Sequence, residues 1–541
     1  MKNMKKKALI VSLAALLLVT GCGNNTESSS SNSGNAGSSS NAAADSKDSK
    51  ITLDFMTQSS PLAPADPNDK LIFKRMEEAT GIHINWKNYT HDIFAEKRNL
   101  ALATGELPDA IFDAALGDYD LLKLAKDGTI IPLNDIIDNH MPNLKKVLEQ
   151  APHYRSMITA PDGNIYSLPW IEELGEGKES IHSVNNMPWI NVEWLNKLGL
   201  EMPKTTEELK QVLIAFKTQD PNGNGIADEI PVSFIHSDGG NEDIGFLAGS
   251  FGLGYNWDYT LVSDDGKVMF APTDSGYKEA VKYFHELNAE GLIDVEAFTQ
   301  DWNTFIAKGK EDRFGLYFTW DKANVTGMND KFDVMPALEG PNGWKNVTRT
   351  NGMGLDRGRF VITADNKNIE ATAKWIDQCY DPHQSVMNNW GTFGDETLQN
   401  IFEWDEANKM LKHLPLNGTA PGELRGKTSV GGPLAILDSY YGKVTTKPDD
   451  AAWRLGLIKD TYVKDMKAEN IYPRVFFSRE ELDRLSTIEA DLRPYVLRKR
   501  AEWITNGKVD SEWDSFLKEL DRLGLQEWLK IKQDGYNRNV K

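Results

Sequence analysis

The chain has 541 residues, of which 40% are hydrophobic and 26% are charged, so it is long enough to bury the cores of two or more globular domains. Its formal net charge of −20 argues against nucleic acid and anionic membrane surfaces as general partners, because both repel an acidic protein. The nine histidines include no HExxH pair and the two cysteines form no cluster, so we expect no zinc-type site.

Residues 1–21 have the pattern of a secretory signal peptide. Four lysines precede the apolar run ALIVSLAALLLV, which is too short to span a bilayer as a stable helix. The run closes with VTGC, and small residues before Cys22 resemble a bacterial lipobox, in which the cysteine is acylated and becomes the mature N-terminus. The alternative is an ordinary signal peptide followed by a chance cysteine.

Residues 22–50 are rich in Ser, Asn and Gly and contain no aromatic residue, which is typical of a flexible tether. Signal peptide, lipidated cysteine and tether together predict a globular body held at the extracellular face of the cell membrane. We expect its contact with the membrane to be the lipid anchor only, with palmitate among the acyl chains. Cys379 then has no intrachain partner, and we expect it to be a buried, unreactive helix residue.

Helices and strands alternate in the segment that follows the tether. ITLDFMTQ at 51–58 predicts a first strand, a helix ends at Gly81, and a second strand ends at Trp86. FAEKRNLALATGELPDAIFD repeats the pattern of helix, glycine-containing loop and short strand. This alternation favours an α/β fold with a mostly parallel sheet. No period repeats along the chain, so a solenoid or propeller is not expected.

A helix predicted from Thr205 leads directly into the loop DPNGNGIADEIP at 220–231. The first half has the spacing of an EF-hand loop, but the twelfth position, which normally supplies a bidentate glutamate, is Pro231. An earlier glutamate supplies the missing carboxylate if the loop turns early. We predict a structural Ca²⁺ site; the alternative is an Asx-rich turn that binds nothing. The candidate ligands all offer oxygen: Asp220, Asn222, Asn224, Ile226 through its carbonyl, Asp228 and Glu229.

The stretch EWLNKLGLEMPKTTEELKQVLIAFKTQDPNGNGIADEIP resembles the central signature of extracellular solute-binding proteins of ABC importers, family 1. More narrowly, it resembles the LplA/LipO-type lipoproteins of Firmicutes and the alginate-oligosaccharide-binding proteins. TGELPDAIF, DGNIYSLPW, AEGLIDVEAFTQD and WDSFLKELDRLGLQEWLKIKQDGY match as well, so the resemblance spans nearly all of the mature chain. In these relatives a loop of this pattern holds calcium, which implies the same six ligands here. One departure is Asn191-Val192-Glu193, where relatives carry a basic–acidic pair.

The resemblance implies an α/β, two-lobe, periplasmic-binding-protein-like fold of the cluster type, with a hinge and an interlobe cleft. It also implies a division of the chain into segments. These are the signal peptide (1–21), the lipidated cysteine and tether (22–50), the first part of the N-lobe (51–165), the first part of the C-lobe (166–325), an N-lobe return segment (326–390), and the C-lobe remainder with the C-terminal helices (391–541).

Aromatic residues in polar, loop-like contexts are candidates for lining that cleft, because sugars stack on flat rings. The candidates are Trp170, Trp257, Trp302, Trp320, Trp390, Tyr440 and Tyr441, and we expect a few of them to contact the ligand. Neighbouring carboxylates that can hydrogen-bond a sugar are Glu172, Glu173, Asp258, Asp301 and Asp321. Local pairing of an acidic sugar is expected only from Arg155, Arg349 or Arg357. Core positions are predicted for the helical tryptophans Trp375, Trp503, Trp513 and Trp528.

We therefore predict a membrane-anchored, monomeric solute-binding component of an ABC importer, which captures an oligosaccharide and delivers it to the permease subunits. We expect no catalytic residue, because no spacing marks the carboxylate pair of a glycosidase. Two alternatives remain open. One is a surface glycoside hydrolase or polysaccharide lyase, and the other is a peptide-binding lipoprotein.

Overall fold

A computed structural model describes residues 51–541, except 238–239, 255–258, 349, 351–352, 416, 468–470 and 540–541. The predicted signal peptide, Cys22 and the tether therefore lie outside the described residues, as do Trp257, Asp258 and Arg349. In the described part of the chain, no helix is both long enough and apolar enough to cross a membrane.

The described chain alternates between helices and strands. The strands are β1 (Ile51–Ser59), β2 (Ile82–Thr90), β3 (Ala110–Phe112), β4 (Leu168–Glu172), β5 (Met187–Asn191), β6 (Ile230–Ser233), β7 (Thr260–Val262), β8 (Val268–Phe270), β9 (Phe314–Thr319), β10 (Phe332–Val334), β11 (Gly354–Ile362), β12 (Phe402–Asp405), β13 (Met410–His413) and β14 (Leu434–Ile436). The α-helices are α1 (Leu71–Thr80), α2 (His91–Thr104), α3 (Asp118–Lys126), α4 (Asn134–His140), α5 (Pro142–Gln150), α6 (Pro152–Ile158), α7 (Val192–Leu198), α8 (Thr206–Thr218), α9 (Ser275–Ala289), α10 (Trp302–Lys310), α11 (Ile369–Asp377), α12 (Pro382–Trp390), α13 (Pro421–Thr428), α14 (Asp449–Leu457), α15 (Arg479–Asn506), α16 (Val509–Arg522) and α17 (Leu525–Asn539).

The first sheet has six strands in the order β14-β4-β11-β3-β1-β2. β1 is parallel to both of its neighbours, with Phe55 paired to Trp86 on one side and to Ala110 on the other. β14 is parallel to β4, whereas β11 runs antiparallel between β3 and β4. Because β1 pairs with β2 on one side and β3 on the other, the chain winds in opposite directions from β1, and the carboxyl end of β1 is a topological switch point.

The second sheet has four strands in the order β10-β5-β9-β6. β6 is parallel to β9, and the other pairs are antiparallel. Two hairpins, β7–β8 and β12–β13, complete the strand pairing. The sequence prediction of an α/β fold is confirmed, but the sheets are more mixed than the predicted parallel arrangement.

Each of the two larger sheets has its own hydrophobic core. In the first core the rings of Phe55, Phe73, Trp86, Phe112 and Trp375 lie with centroids 4.9–6.1 Å apart. Such edge and offset contacts stabilise aromatic pairs beyond the burial of their area. The second core packs the C-terminal helices α15–α17 around a separate set of aromatic residues. Two cores joined by several chain crossings are what a two-lobe body requires.

The predicted core residues are where the sequence placed them. Trp375, Trp503 and Trp528 are buried, and Trp513 packs partly buried against the second core. Cys379 is completely buried in the first core, and this burial raises the pKa of its thiol. The cysteine is therefore a packing residue, as predicted.

The predicted segment limits differ from the distribution of strands at two places. β4 belongs to the first sheet, although residues 166–325 were assigned to the C-lobe. β14 and the buried residues between 401 and 440 also pack in the first core, although 391–541 was assigned to the C-lobe. These differences arise because the chain leaves the first sheet only after β4, and because it stays with that sheet from β11 through β14 after its return. The assignment of chain segments to the two moving lobes stays a prediction.

A buried ion pair connects α15 to the second core. The Arg500 guanidinium donates to Asp243 at 2.6 and 3.2 Å and to the Ser237 carbonyl at 2.8 Å, and both charged side chains are buried. Asp243 also accepts the Gly245 amide at 2.8 Å and so caps the 3₁₀ turn that follows.

We expect Arg500→Met to lower the free energy of unfolding by about 3–5 kcal/mol, because the Asp243 charge would stay buried without its cation. The exposed pair Arg484–Glu527, with contacts of 2.6 and 2.7 Å, supplies the matched control. Arg484→Met should cost only about 0–1 kcal/mol. Urea unfolding followed by circular dichroism measures both, and equal losses in the two variants would contradict the assigned role of the buried pair.

Candidate functional site

A cavity of about 260 Å³ is lined by segments that follow strands of both larger sheets. Its walls come from four separate parts of the chain: the end of β4 with residues 174–182, the turn after β9, the stretch from the end of α12 to α13, and the start of α14. We call this space the aromatic cavity, because Trp320 and Trp390 both line it. Ile181, Ile401 and Leu424 supply aliphatic surface between them.

Each of the two tryptophans is held by an arginine. The Arg454 guanidinium lies 3.7 Å from the ring centroid of Trp320 and also donates to the Trp320 carbonyl. The Arg425 guanidinium lies 5.3 Å from the ring centroid of Trp390. Cation–π contacts of this kind fix the orientation of an indole. The rings are therefore positioned before any ligand arrives.

Glu172, at the end of β4, is the buried acidic group of the cavity. Its Oε1 accepts from Asn389 at 2.5 Å and lies 3.5 Å from Arg425, and its Oε2 lies 3.4 Å from His182. Burial opposes ionisation of Glu172, but the contacts with His182 and Arg425 outweigh it and lower the pKa of the carboxyl. The carboxylate therefore stays charged and lies between Arg425 and the His182 ring, both of which face the cavity.

Two further carboxyl groups line the cavity, Asp450 of α14 and Asp321 of the turn after β9. Burial raises the pKa of Asp450, the charge of Arg425 opposes the rise, and the charge of Asp321 adds to it. Asp321 is itself buried and caps a short 3₁₀ helix by accepting the Ala323 amide at 2.8 Å. Carboxylates and a guanidinium placed around aromatic rings can accept and donate hydrogen bonds along the edge of a sugar ring.

His413, at the end of β13, adds a neutral polar group. Burial lowers the pKa of His413 to about 3, and the Arg425 charge acts in the same direction. Its backbone amide donates to Thr446 Oγ1 at 2.9 Å. Its Nε2 is buried and, among the residues that the structure describes, has no hydrogen-bond partner. An uncharged imidazole with a free nitrogen at a cavity wall can bind a ligand hydroxyl.

The structure brings four of the sequence-predicted residues together at this cavity: Trp320, Trp390, Glu172 and Asp321. Trp170, Tyr440 and Tyr441 are not among the described residues that line it. Trp170 and Tyr441 pack partly buried against the first core, and Tyr440 is buried within it. Trp302 is elsewhere, 38% exposed at the start of α10 and stacked on Phe305. Trp257 lies outside the described residues.

The cation of the cavity is not among those expected from the sequence. Arg155 pairs with Asp138 at 2.9 Å, and Arg357 is buried against Asp118 at 2.8 Å. Arg425 takes the place expected for them, and its only signal in the sequence is its position in the glycine- and proline-rich stretch NGTAPGELRG. His182 and His413 were missed for the same reason, since their roles depend on contacts between distant segments.

The predicted calcium loop begins directly after α8 and closes on its own hydrogen bonds. Asp220 accepts the amides of Gly223 and Gly225 at 3.1 and 3.0 Å, and the side-chain amides of Asn222 and Asn224 both donate to Asp228 Oδ1 at 3.0 Å. Within the described residues, no three His, Cys, Asp or Glu side chains converge as a group ready to hold a metal.

One feature of the loop fits a cation. Glu229 Oε1 is buried and has no hydrogen-bond partner among the described residues. Burial raises the pKa of Glu229, and the charges of Asp220 and Asp228 raise it further. A carboxylate that faces two others is stabilised by a hard cation, and the loop offers only the oxygen donors that calcium prefers. The donor set therefore fits Ca²⁺.

Comparison with known proteins places this architecture in a family. Residues 63–384 match the model of the bacterial extracellular solute-binding proteins. The chain is 58% identical over 537 residues to the fructooligosaccharide ABC transporter substrate-binding protein FusA of Streptococcus pneumoniae, covering 99% of this chain and 98% of FusA. Lipoprotein LipO of Bacillus subtilis is 26% identical over 415 residues, which cover 72% of this chain and 73% of LipO.

Solved structures agree with the sequence comparison. S. pneumoniae FusA in complex with kestose superimposes with a TM-score of 0.87 at 62% identity, covering 90% of this chain and 99% of that chain. A FusA EF-hand mutant in complex with fructo-nystose gives the same TM-score at 61% identity, with the same coverage. The predicted two-lobe α/β fold and the predicted resemblance are thereby confirmed. The chain belongs to the bacterial extracellular solute-binding protein family.

Proposed function

We propose that this protein is the solute-binding component of an ABC importer and that it captures a neutral oligosaccharide in the aromatic cavity. The observation that carries the proposal is the convergence of Trp320 and Trp390 with the Glu172–Arg425 pair on one space between the two cores. The similarity to FusA, which is described as a fructooligosaccharide-binding protein, points to fructose-containing oligosaccharides as the first ligands to test.

The charges around the cavity support a neutral sugar. The cations there already have partners, because Arg425 faces Glu172 and Asp450, and His413 is neutral at pH 7. A uronate carboxylate would meet the charges of Glu172 and Asp321 without a free cation among the described lining residues. Hydroxyl groups, which both donate and accept, match such a mixed wall better than an added anion does.

The proposed role is binding without catalysis. A glycoside hydrolase needs two carboxyl groups whose pKa values are pushed apart, and Glu172 and Asp450 differ in that direction. However, Glu172 is buried, and Asn389, His182 and Arg425 contact its two oxygens. A carboxylate held in this way orients its neighbours and is poorly placed to attack a sugar or to transfer a proton.

The remaining parts of the proposal concern the site of action. The protein is extracellular, as its family is, and we propose that acylated Cys22 and the tether 22–50 hold it at the membrane as a monomer. Delivery to the permease subunits would then follow closure around the sugar.

We further propose that Ca²⁺ bound by Asp220, Asn222, Asn224, the Ile226 carbonyl, Asp228 and Glu229 stabilises the second core, in which α8 packs. The metal would neutralise the neighbouring carboxylates of Asp220, Asp228 and Glu229 and would take no part in any reaction.

Trp320→Ala should weaken binding of kestose about 30-fold, equivalent to about 2 kcal/mol, because the ring is a preoriented anchor of the cavity. Trp302→Ala is the matched control, since that tryptophan is exposed at the start of α10 and should leave the affinity unchanged. Isothermal titration calorimetry measures both, and chromatography of the recovered sugar tests for cleavage. A shortened glycan would replace the binding role with a hydrolase, and equal losses in both variants would place the ligand elsewhere.

Calcium should raise the melting temperature at pH 7, because a ligand that binds only the folded state stabilises it. Glu229→Gln and Asp220→Asn should lose most of this rise, whereas Glu207→Gln, an exposed residue of α8, should keep it. The pKa of Glu229 lies above its ordinary 4.5, so protons compete with the metal for this carboxylate while the pH is still above 4.5. We therefore expect the calcium-dependent rise in melting temperature to become smaller as the pH is lowered from 7 toward 4.5. A rise that is the same in all variants, or none in the wild type, would contradict the site.

A further inference from the structure

Six Asn-Gly steps occur along the chain. An asparagine followed by glycine loses its side-chain amide most readily, because glycine has no Cβ to obstruct the reaction. One step, which begins at Asn351, lies outside the described residues. The other five begin at Asn222, Asn224, Asn342, Asn417 and Asn506. Since all five offer the same two reacting residues, differences between them in the folded protein arise from their surroundings.

The reaction is an attack of the glycine backbone nitrogen on the side-chain carbonyl carbon of the asparagine. A bond forms between glycine N and asparagine Cγ, the Cγ–Nδ2 bond breaks, and the amide leaves as ammonia with the proton that the glycine nitrogen gave up. Water then opens the succinimide ring at one of its two carbonyl carbons, which gives aspartate or isoaspartate. Water is the only co-reactant, and nothing is oxidised or reduced.

Hydrogen bonding of the glycine amide controls this attack, because the nitrogen reacts only after it has lost its proton. The same loss governs amide hydrogen exchange, in which a hydrogen-bonded N–H must open before it reacts. Four of the five described glycine amides donate such a bond: Gly223 to the Asp220 carbonyl at 3.1 Å, Gly225 to the Asp220 carboxylate at 3.0 Å, Gly343 to the Gly340 carbonyl at 3.0 Å and Gly507 to the Trp503 carbonyl at 2.8 Å. These four steps are therefore protected in the folded protein.

Gly418 differs from the other four, since its amide has no hydrogen-bond partner among the residues that the structure describes. The Asn417 side chain is exposed. Both residues have positive φ, 49° for Asn417 and 82° for Gly418, as in the type I′ turns that favour this dipeptide. Apart from the chain neighbours of Gly418, no described atom lies within 4 Å of the position that a Cβ on this residue would take. Both reacting atoms are therefore accessible, and the ring has room to close.

The position of this step connects it to the aromatic cavity. The segment from Leu414 to Gly422 joins β13 to α13, and both of these residues line the cavity. Within α13, Leu424 and Arg425 line it as well. Isoaspartate carries the main chain through its side-chain carbon, so the backbone becomes longer at that point. Such a change at Asn417 acts on the connection that positions α13, whereas aspartate adds a charge and leaves the backbone unchanged.

We propose that Asn417 is a site of spontaneous deamidation, at which the protein is covalently modified as it ages. The free amide of Gly418 makes this step react before the four protected ones. The isoaspartate product displaces α13 and so weakens the binding of an oligosaccharide in the aromatic cavity. This last consequence rests on the proposed function, whereas the modification itself does not.

The modification is tested by incubating the purified protein at mildly alkaline pH and following each Asn-Gly peptide over time by mass spectrometry. Asn342, another exposed turn residue, is the matched internal control. Asn417 should react about 5-fold faster or more, because the net free energy of the Gly343 hydrogen bond slows opening of that amide by about this factor. In urea, where the unfolded chain keeps none of these hydrogen bonds, the two rates should become similar.

Two results would overturn the site. One is a faster loss at any of the four protected steps, or equal rates at all five, in the folded protein. The other is a lead of Asn417 that persists in urea, because the flanking sequence and not the folded structure would then set the rate.

The functional consequence is tested by titrating kestose into three samples in a calorimeter. These are fresh wild-type protein, its deamidated fraction isolated by anion exchange, and Asn417→Asp, which has the added charge without the longer backbone. The deamidated fraction should bind more weakly than the other two, which should bind alike. Asn417→Gln, whose longer side chain closes a ring much less readily, should keep its affinity through the same incubation.

The outcomes separate the consequence from the proposed function. Equal affinity of the deamidated fraction and Asn417→Asp would overturn the effect of isoaspartate on binding and leave the modification site standing. If fresh wild-type protein does not bind kestose, the proposed function fails for this sugar and the consequence fails with it. The mass spectrometry still decides the modification in that case.

Discussion

The contact between Arg425 and Glu172 is the interaction on which the arrangement of the cleft depends. Glu172 stands at the end of β4, buried and charged, and it faces Arg425 of α13 across 3.5 Å. That one guanidinium also lies over Trp390 and lines the aromatic cavity. Without the carboxylate, the Arg425 side chain, which is 41% exposed, would lose the contact that holds its guanidinium over the Trp390 ring.

Arg454 fulfils a comparable role on the other side of the aromatic cavity. It extends from α14 into the interior, is almost fully buried, and donates to the carbonyls of Trp320 and Val184. These carbonyls belong to the turn after β9 and to the segment that leads into β5. One side chain therefore joins three segments of the chain while stacking on Trp320. The orientation of the Trp320 ring and the packing of these segments are set by the same side chain.

The sequence could predict what depends on local pattern. Alternating helices and strands gave the α/β fold, helical spacing gave the core positions of Trp375, Trp503 and Trp528, and an Asx-rich spacing gave the loop after α8. In each case the signal lies within about twenty residues, where periodicity and turn chemistry act.

What the sequence could not predict depends on contacts between distant segments. Nothing local distinguishes Trp320, which lines the cavity, from Trp302, which is exposed elsewhere, since both stand in polar loops beside an aspartate. Arg425 gains its role from Glu172, which is far away in the chain. The place of β14 in the first sheet could not be predicted either, because a three-residue strand has no period to detect.

The division of the cleft walls among segments also explains how a sugar can act on the whole protein. Trp390 belongs to the first core, whereas Trp320 follows β9 of the second sheet. A ligand that stacks on only one of them gains the same free energy whether the lobes are open or closed, and so it cannot shift that equilibrium. A ligand that touches both gains the second contact only when the lobes are close together. With the sugar placed as proposed, closure would be favoured by the part of the binding free energy that needs both tryptophans, because only that part differs between the open and closed states.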